Sequence, residues 1–297
     1  MSGTRQYRPY TLPGRSPLTQ HVRTPAIRSI LAGLVASGGV GALAYRRGAL
    51  SRGGVAGAMV AGTIIFAGGG FVPSALLLTF FVCSSALSRW RRGNKAMGTI
   101  VEAAKGGRRD LAQTLANGGV AAALVVVGRV HPGTPWLAAL VGALATVNAD
   151  TWATEIGLLS RRAPRLITTL RRVPPGTSGG ITALGTGAAA LGATAIGVVA
   201  ALGLVASRAD RQGWAMIPLA LVGGLSGALA DSVFGATVQA RYRCPRCGVA
   251  TERAMHRCGT RAEQIGGWRW VDNDLVNLMA SLCGAAIGWC WPGRAGR

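Results

Sequence analysis

Five of the ten Asp and Glu residues, Asp150, Glu155, Asp231, Asp272 and Asp274, fall inside or at the edge of long apolar runs. A charge in a bilayer interior costs a few kcal/mol or more, so acids placed there mark a site or a water-filled cavity rather than an anchor. They form three patches. In Asn148-Ala-Asp150-Thr-Trp-Ala-Thr154-Glu155-Ile-Gly157, a regular helix puts Asp150 and Thr154 on one face and Glu155 about 140° away from Asp150. Both acids can still line one cavity if the helix ends or bends there; a helix-end acid paired with a loop arginine is the alternative. In the second patch Asp231, Gly235 and Gln239 recur every four residues, with Ser232 beside them. The third, Asp272-Asn273-Asp274 with Asn277, offers a cap for the last helix and sets Asp274 and Asn277 on one face. Capping explains one of these acids, not three patches. Asp150, Asp231 and Asp274 with nearby Asn, Ser and Thr oxygens make a hard-oxygen set suited to Mg²⁺, which binds through one or two carboxylates plus substrate phosphates. Asp150, Glu155 and Asp231 are the candidates for catalytic work. An ion or proton pathway would use the same acids.

Two loops join arginine to glycine. Arg161, Arg162, Arg165, Arg171 and Arg172 precede Pro174-Pro175-Gly176-Thr177-Ser178-Gly179-Gly180, which runs into an Ala- and Gly-rich segment. The expectation is a turn at a helix N-terminus whose N–H groups and dipole hold a phosphate, with the arginines adding charge-assisted bonds. Lys105-Gly-Gly-Arg108-Arg109, followed by Gln113 and Asn117-Gly118-Gly119, is a weaker second element. An ordinary arginine cluster with helix-breaking glycines would look similar in either loop.

A third loop carries Cys244-Pro-Arg-Cys247 and, after eight intervening residues, His256-Arg-Cys258. Three thiolates and an imidazole at these spacings close a tetrahedral Zn²⁺ site with no open position, hence structural. Free thiols are the alternative.

The elements that must position these groups are membrane helices. The 297 residues have a mean hydropathy of +0.35, only 14% charged residues and 45 glycines, so the apolar side chains face lipid rather than a water-wrapped core. Spans are expected near 27–45, 54–69, 71–88, 115–130, 135–158, 179–206, 213–238 and 273–292, with Gly68-Gly69-Gly70 and His131-Pro132-Gly133 as tight hairpin turns. The fold class is therefore an all-α polytopic helical bundle of about eight transmembrane helices. Residues 1–25 are a basic disordered tail, and 26–297 are one transmembrane domain with a Cys/His loop at 239–272. The net charge of +22 is almost wholly arginine. Odd-numbered connections between spans hold 22 Lys and Arg and even-numbered ones two, which sends the odd loops and the candidate site to the cytoplasmic side of the cell membrane. The same sidedness accounts for the basic excess without nucleic acid as a partner. Eight spans put the N-terminal tail outside.

In order along residues 27–292, these motifs resemble the integral membrane proteins of the domain of unknown function 92 family, which includes transmembrane protein 19 and the plant phytyl-phosphate kinase. The likeness rests on Gly107-Arg108-Arg109 with Gln113, Ala116-Asn117-Gly118-Gly119, the Asn148–Gly157 patch, Val173-Pro-Pro-Gly176-Thr-Ser-Gly179-Gly180, Asp231-Ser232 with Gly235 and Gln239, and Asn273-Asp274 with Asn277. A more distant likeness is to CTP-using polyprenol kinases and phosphatidate cytidylyltransferases, from which this chain departs in having arginine but no lysine beside its Thr-Ser-Gly-Gly element. The resemblance implies phosphorylation of an isoprenoid monophosphate, such as phytyl or geranylgeranyl phosphate, to its diphosphate by CTP or another nucleoside triphosphate with Mg²⁺. On this reading Arg171, Arg172, Gly176, Thr177, Ser178, Gly179 and Gly180 hold phosphates, Arg108 and Arg109 are weaker candidates, and Asn117, Ser232, Gln239, Asn273 and Asn277 complete the binding set. The implied partners are membrane lipids, the isoprenoid phosphate and the nucleotide. A CTP-dependent cytidylyltransferase and a membrane transporter or ion-binding protein are the competing readings.

Overall fold

A computed structural model describes residues 27–93, 108–207, 213–256 and 258–292. The expected N-terminal tail and Lys105-Gly106-Gly107 lie outside the described residues. The protein is mostly helical. The eight long helices among the described residues are α1 (Ile27–Arg46), α2 (Arg52–Ile64), α3 (Phe71–Gly93), α4 (Leu111–Val130), α5 (Trp136–Gly157), α6 (Ala183–Ala206), α7 (Met216–Thr237) and α8 (Asn273–Trp289). A π-helical turn, Ile65–Gly69, prolongs α2, and a 3-10 turn, Gly213–Ala215, leads into α7.

Among the described residues six helices are long and apolar enough to cross a membrane: α1, α2 with its π turn, α3, α4, α6 and α7 with its 3-10 turn. The other two differ for physical reasons. α8 has only 17 residues. α5 has 22, but it carries Asn148, Asp150 and Glu155 and is the central helix, buried without a break from Ala138 to Ala149. It packs against α3, α4, α6, α7 and α8, so protein rather than lipid receives most of its surface. The outer helices carry the exposed apolar side chains, among them Leu31, Val35, Val60, Phe71, Leu78, Leu191 and Leu202.

Small residues allow the central helices to approach so closely. A Cβ on Gly142 of α5 would collide with the Gly284 carbonyl of α8, and one on Gly288 with the Ala138 carbonyl. Thr146 donates to the Gly142 carbonyl at 3.0 Å and the Gly223 carbonyl of α7 at 3.3 Å, so a buried hydroxyl is satisfied where the three helices meet.

α2, α4, α6 and α8 all start at one end of the bundle, capped by Ser51, Asp110, Thr182 and Asp272. Asp272 accepts from the Asp274 and Leu275 amides at 3.0 and 2.9 Å and is the capping acid of its patch. The odd connections gather here. The loop after α1 binds the start of α4 through Ser51 N–H to Arg109 O and Arg109 N–H to Ala49 O, both 2.9 Å. The loop after α5 folds into an antiparallel pair, β1 (Arg165–Leu166) with β2 (Gly180–Ile181). The loop after α7 forms a three-stranded antiparallel sheet of β3 (Arg241–Arg243), β4 (Ala250–Thr251) and β5 (Glu263–Gly266) in the order β4-β3-β5.

One boundary changes the chemistry. The helix expected from residue 179 begins at Ala183, because Gly180-Ile181 pairs as a strand and Thr182 caps α6 by accepting from the Gly185 amide at 3.0 Å. The Gly176–Gly180 segment is therefore a loop standing before the helix and does not form its N-terminus.

Candidate functional site

At this end of the bundle a cavity of about 340 Å³ opens among α3 to α8 and the odd loops. α5 and α7 deliver Asp150 and Asp231 to its wall. Glu155 also reaches the wall, yet its carboxylate is already bound. Oε2 pairs with Arg91 Nε, and Oε1 accepts from Ser88 Oγ at 2.5 Å. The two α3 residues lie one turn apart and hold an acid that is only 7% exposed. Asp274 does not line the cavity, whereas Asn273 and Asn277 on the same first turns of α8 do, together with Asn117 and Gln113 of α4.

The cationic wall differs from the expected one. Arg109 lines the cavity, donating from Nη1 to Ser84 Oγ at 3.0 Å and standing 5.8 Å from the Phe80 ring centroid. Arg108 turns away and lies over Tyr45, 4.9 Å from the ring centroid. Arg171 and Arg172 are exposed outside the cavity, Arg172 bridging Arg165 through the backbone. The structure thus does not bring Arg108, Arg171 and Arg172 to the cavity; its arginines among the described residues are Arg91, Arg109 and Arg162.

Pro175 to Gly180 form one side of the cavity. Gly176 and Gly179 have φ of 81° and 79°, a left-handed backbone that glycine adopts without penalty. Gly179 also has no space for a side chain, since a Cβ would stand 2.6 Å from the Ser232 carbonyl and 2.5 Å from Ala236 Cβ. The Asp231-Ser232…Gly235 stripe is thereby the seat on which this loop rests: Gly235 leaves room for Gly179 N and Ser178 Cβ, 3.2 and 3.5 Å from where its own Cβ would be. Inside the loop, Gly180 N–H bonds Thr177 O at 2.9 Å and Thr177 Oγ1 donates to Pro174 O at 2.7 Å. Ser178 Oγ instead donates to Glu252 Oε1 at 2.6 Å, reaching into the Cys/His loop.

Two donors in the wall lack partners among the described residues. Gln239 is 3% exposed, and its Nε2 has none; Ser85 Oγ is in the same condition. Burying such groups unsatisfied costs about 1–3 kcal/mol each, and an anionic oxygen in the cavity would relieve that cost. On its remaining side the cavity is apolar, with Ala189 of α6 and Leu225, Ala228 and Leu229 of α7.

Sequence reasoning missed Arg91, Ser85, Ser88, Arg162 and Glu252. The first three had a signal, because Ser84, Ser85, Ser88 and Arg91 recur at helical spacing at the end of an apolar run. Arg162 was one of five loop arginines with nothing to single it out. Glu252 had no local signal.

Beside the cavity, Cys244, Cys247, His256 and Cys258 converge, their ligand atoms all within 4.8 Å of one another. Cys244 and Cys258 Sγ are 3.6 Å apart and His256 Nδ1 is 3.0 Å from Cys258 Sγ. Ligands on tetrahedral zinc stand roughly 3.5–3.8 Å apart, given its bond lengths, so the cluster is close to that geometry. All six cysteines are free. Hydrogen bonds from the Thr260 hydroxyl foremost, and from His256, bring the Cys258 thiol down to about 5. Cys247 is held up to about 11, chiefly by its hydrogen bond to Cys258.

The profile of the family described as "Integral membrane protein DUF92" matches residues 35–285. The chain belongs to this family. It is 34% identical to Protein PGR of Arabidopsis thaliana over 279 residues, covering 87% of this chain and 94% of that one. It is 31% identical to an uncharacterized membrane protein of Methanocaldococcus jannaschii over 236 residues, covering 79% and 82%. Protein VTE6, chloroplastic, also of Arabidopsis thaliana, is 26% identical over 245 residues, covering 80% of this chain and 64% of that one. No solved structure matches. The DUF92 match runs from α1 into α8, so it includes every cavity residue named above.

Proposed function

We propose that this protein is a membrane kinase that transfers the terminal phosphoryl group of a nucleoside triphosphate, CTP foremost, to an isoprenoid monophosphate, giving the diphosphate. The observation that carries this reading is the composition of one cavity. Four acids, of which Glu155 and Glu252 are bound by Arg91, Ser88 and Ser178, three arginines, a glycine loop and unpartnered donors face an apolar wall within it, a combination suited to a metal-bound anionic head and a long apolar tail.

The second ionisation of a phosphate monoester lies near 6, so at neutral pH the acceptor is largely a dianion and no side chain has to remove a proton. Glu155, tied to Arg91 and Ser88, is then a fixing residue rather than a base. An oxygen of the lipid phosphate forms a bond to the terminal phosphorus as the bond from that phosphorus to its bridging oxygen breaks. The nucleoside diphosphate leaves with the electron pair. Positioning and charge neutralisation are what such a transfer needs. Arg109, Arg162 and Gln239 supply cationic and neutral donors, and Thr177 to Gly180 orient the phosphates. Asp150 and Asp231 would hold Mg²⁺, which would supply positive charge to offset that of the phosphates. Among the described residues no group of three acids converges here, and Mg²⁺ fits that donor set because phosphate oxygens and water complete its shell. Zn²⁺ is the structural ion proposed for the Cys/His cluster, and the cavity face is the proposed cytoplasmic face.

Purified protein in detergent, given Mg²⁺, labelled CTP or ATP and polyprenyl monophosphates of several chain lengths, should yield labelled lipid diphosphate. Release of pyrophosphate with a CDP-lipid would make it a cytidylyltransferase instead. Formation of neither product with any chain length would remove the enzyme reading.

A further inference from the structure

We infer that the Cys/His loop is the clasp of the cavity, with Glu252 as a positioning residue that holds Ser178 and keeps the glycine loop seated on α7. The inference rests on the kinase reading only for what the cavity binds.

Glu252 is the sole acid between the two ligand pairs, five residues after Cys247 and four before His256. The backbone is pinned on both sides of it. Before it, Cys244 N–H bonds Val249 O at 2.9 Å, and β4 pairs with β3 through Tyr242 opposite Thr251 and Arg243 opposite Ala250. After it, Ala262 N–H bonds Ala254 O at 2.8 Å and His256 N–H bonds Thr260 O at 3.0 Å. Yet among the described residues the sheet has a core of only Ala240, Tyr242 and Ala262, and such a small module needs a staple beyond its apolar burial. The Cys/His cluster supplies one, and a metal bound there fixes the segment that carries Glu252.

The other partner needs holding for a different reason. A loop with two left-handed glycines gains conformational freedom when released, and Ser178 is its side chain that crosses to another element. A hydroxyl donating to a carboxylate makes a short, charge-assisted bond, here at 2.6 Å between residues 74 apart in sequence. A carboxylate in a cavity lined for anions is otherwise unfavourable. Its place is explained by what it grips.

Amide hydrogen exchange on the full-length protein in detergent tests the clasp independently of activity. Glu252→Ala and Ser178→Ala should each speed exchange in residues 164–182 by about tenfold, the loss expected for one charge-assisted bond, and the double variant should go no further. Glu252→Gln keeps an acceptor and should restore most of the protection. Stripping zinc with a chelator should speed the same amides in the wild type and add little in Glu252→Ala, while α5 amides stay protected in every case. Unchanged exchange in Glu252→Ala overturns the proposal, as does Glu252→Gln behaving like Glu252→Ala. Protein that neither carries nor takes up zinc, or chelation without effect on 164–182, overturns the role of the cluster. A wild type with this exchange pattern but no lipid diphosphate product would sink the kinase reading and leave the clasp standing.

Discussion

Glu155 and Asp150 leave the same end of α5, and substitutions should separate the different tasks proposed for them. Glu155 is held against Arg91 and Ser88, and removing one partner of a mostly buried pair strands the other charge, at a cost of about 3 kcal/mol or more. Glu155→Ala should therefore lower the thermal midpoint in detergent sharply, while Glu155→Leu combined with Arg91→Met should melt nearer to wild type. A double variant that melts below both single ones would refute the pairing account. Asp150→Asn and Asp231→Asn should stay folded and lose turnover by about 10²–10³-fold, the scale for removing one group that stabilises transition-state charge. Full activity in both would discard them as the metal carboxylates. Acids in apolar runs were legible in the sequence because their cost in lipid singles them out. That Glu155 is held while Asp150 lines the cavity was not, since the partner Arg91 lies 64 residues away from Glu155.

At the scale of elements, the helices were legible to within a few residues wherever an apolar run ends at arginine or glycine. The strands of the loop after α5 were not, because a pair of two-residue strands has no periodicity to reveal it. α5 owes its central place to glycines, so Gly142→Leu, which drives a side chain into the Gly284 carbonyl, should abolish a monodisperse folded peak in size-exclusion chromatography. The same change at Gly187, whose Cβ position has nothing within 4 Å, should leave the peak intact. The Cys/His loop makes a prediction about reactivity. A thiol whose folded value lies near 5 is a thiolate at every pH above that, whereas Cys247, near 11, stays protonated at neutrality. The thiolate is the nucleophile. In metal-free protein at pH 7, iodoacetamide should thus alkylate Cys258 before the more exposed Cys247, and the Cys258 rate should fall as pH drops through about 5. Peptide mass spectrometry reads the order, and faster labelling of Cys247 would contradict it.

For the whole molecule, the decisive property is which way the cavity opens. The odd connections that form it carry most of the arginines, and such loops resist translocation. The sequence alone showed that bias; it could not show that four loops far apart in the chain meet over one cavity, which follows from the antiparallel order of the helices. Two native cysteines report the orientation. Cys247 is exposed on the cavity face, and Cys290 is exposed at the far end of α8. A helix of 17 residues is about 26 Å long at 1.5 Å per residue, close to the roughly 30 Å of a hydrocarbon core, so these residues stand on opposite sides if α8 crosses. In cells expressing variants that retain one or the other cysteine, a membrane-impermeant maleimide should label Cys290 from outside and Cys247 only after permeabilisation. The reversed pattern would open the cavity to the exterior, away from cytosolic nucleoside triphosphates, and the kinase proposal would fail with it. Labelling of both from one side would mean that α8 turns back within the membrane, leaving the orientation of the cavity to be read from Cys247 alone.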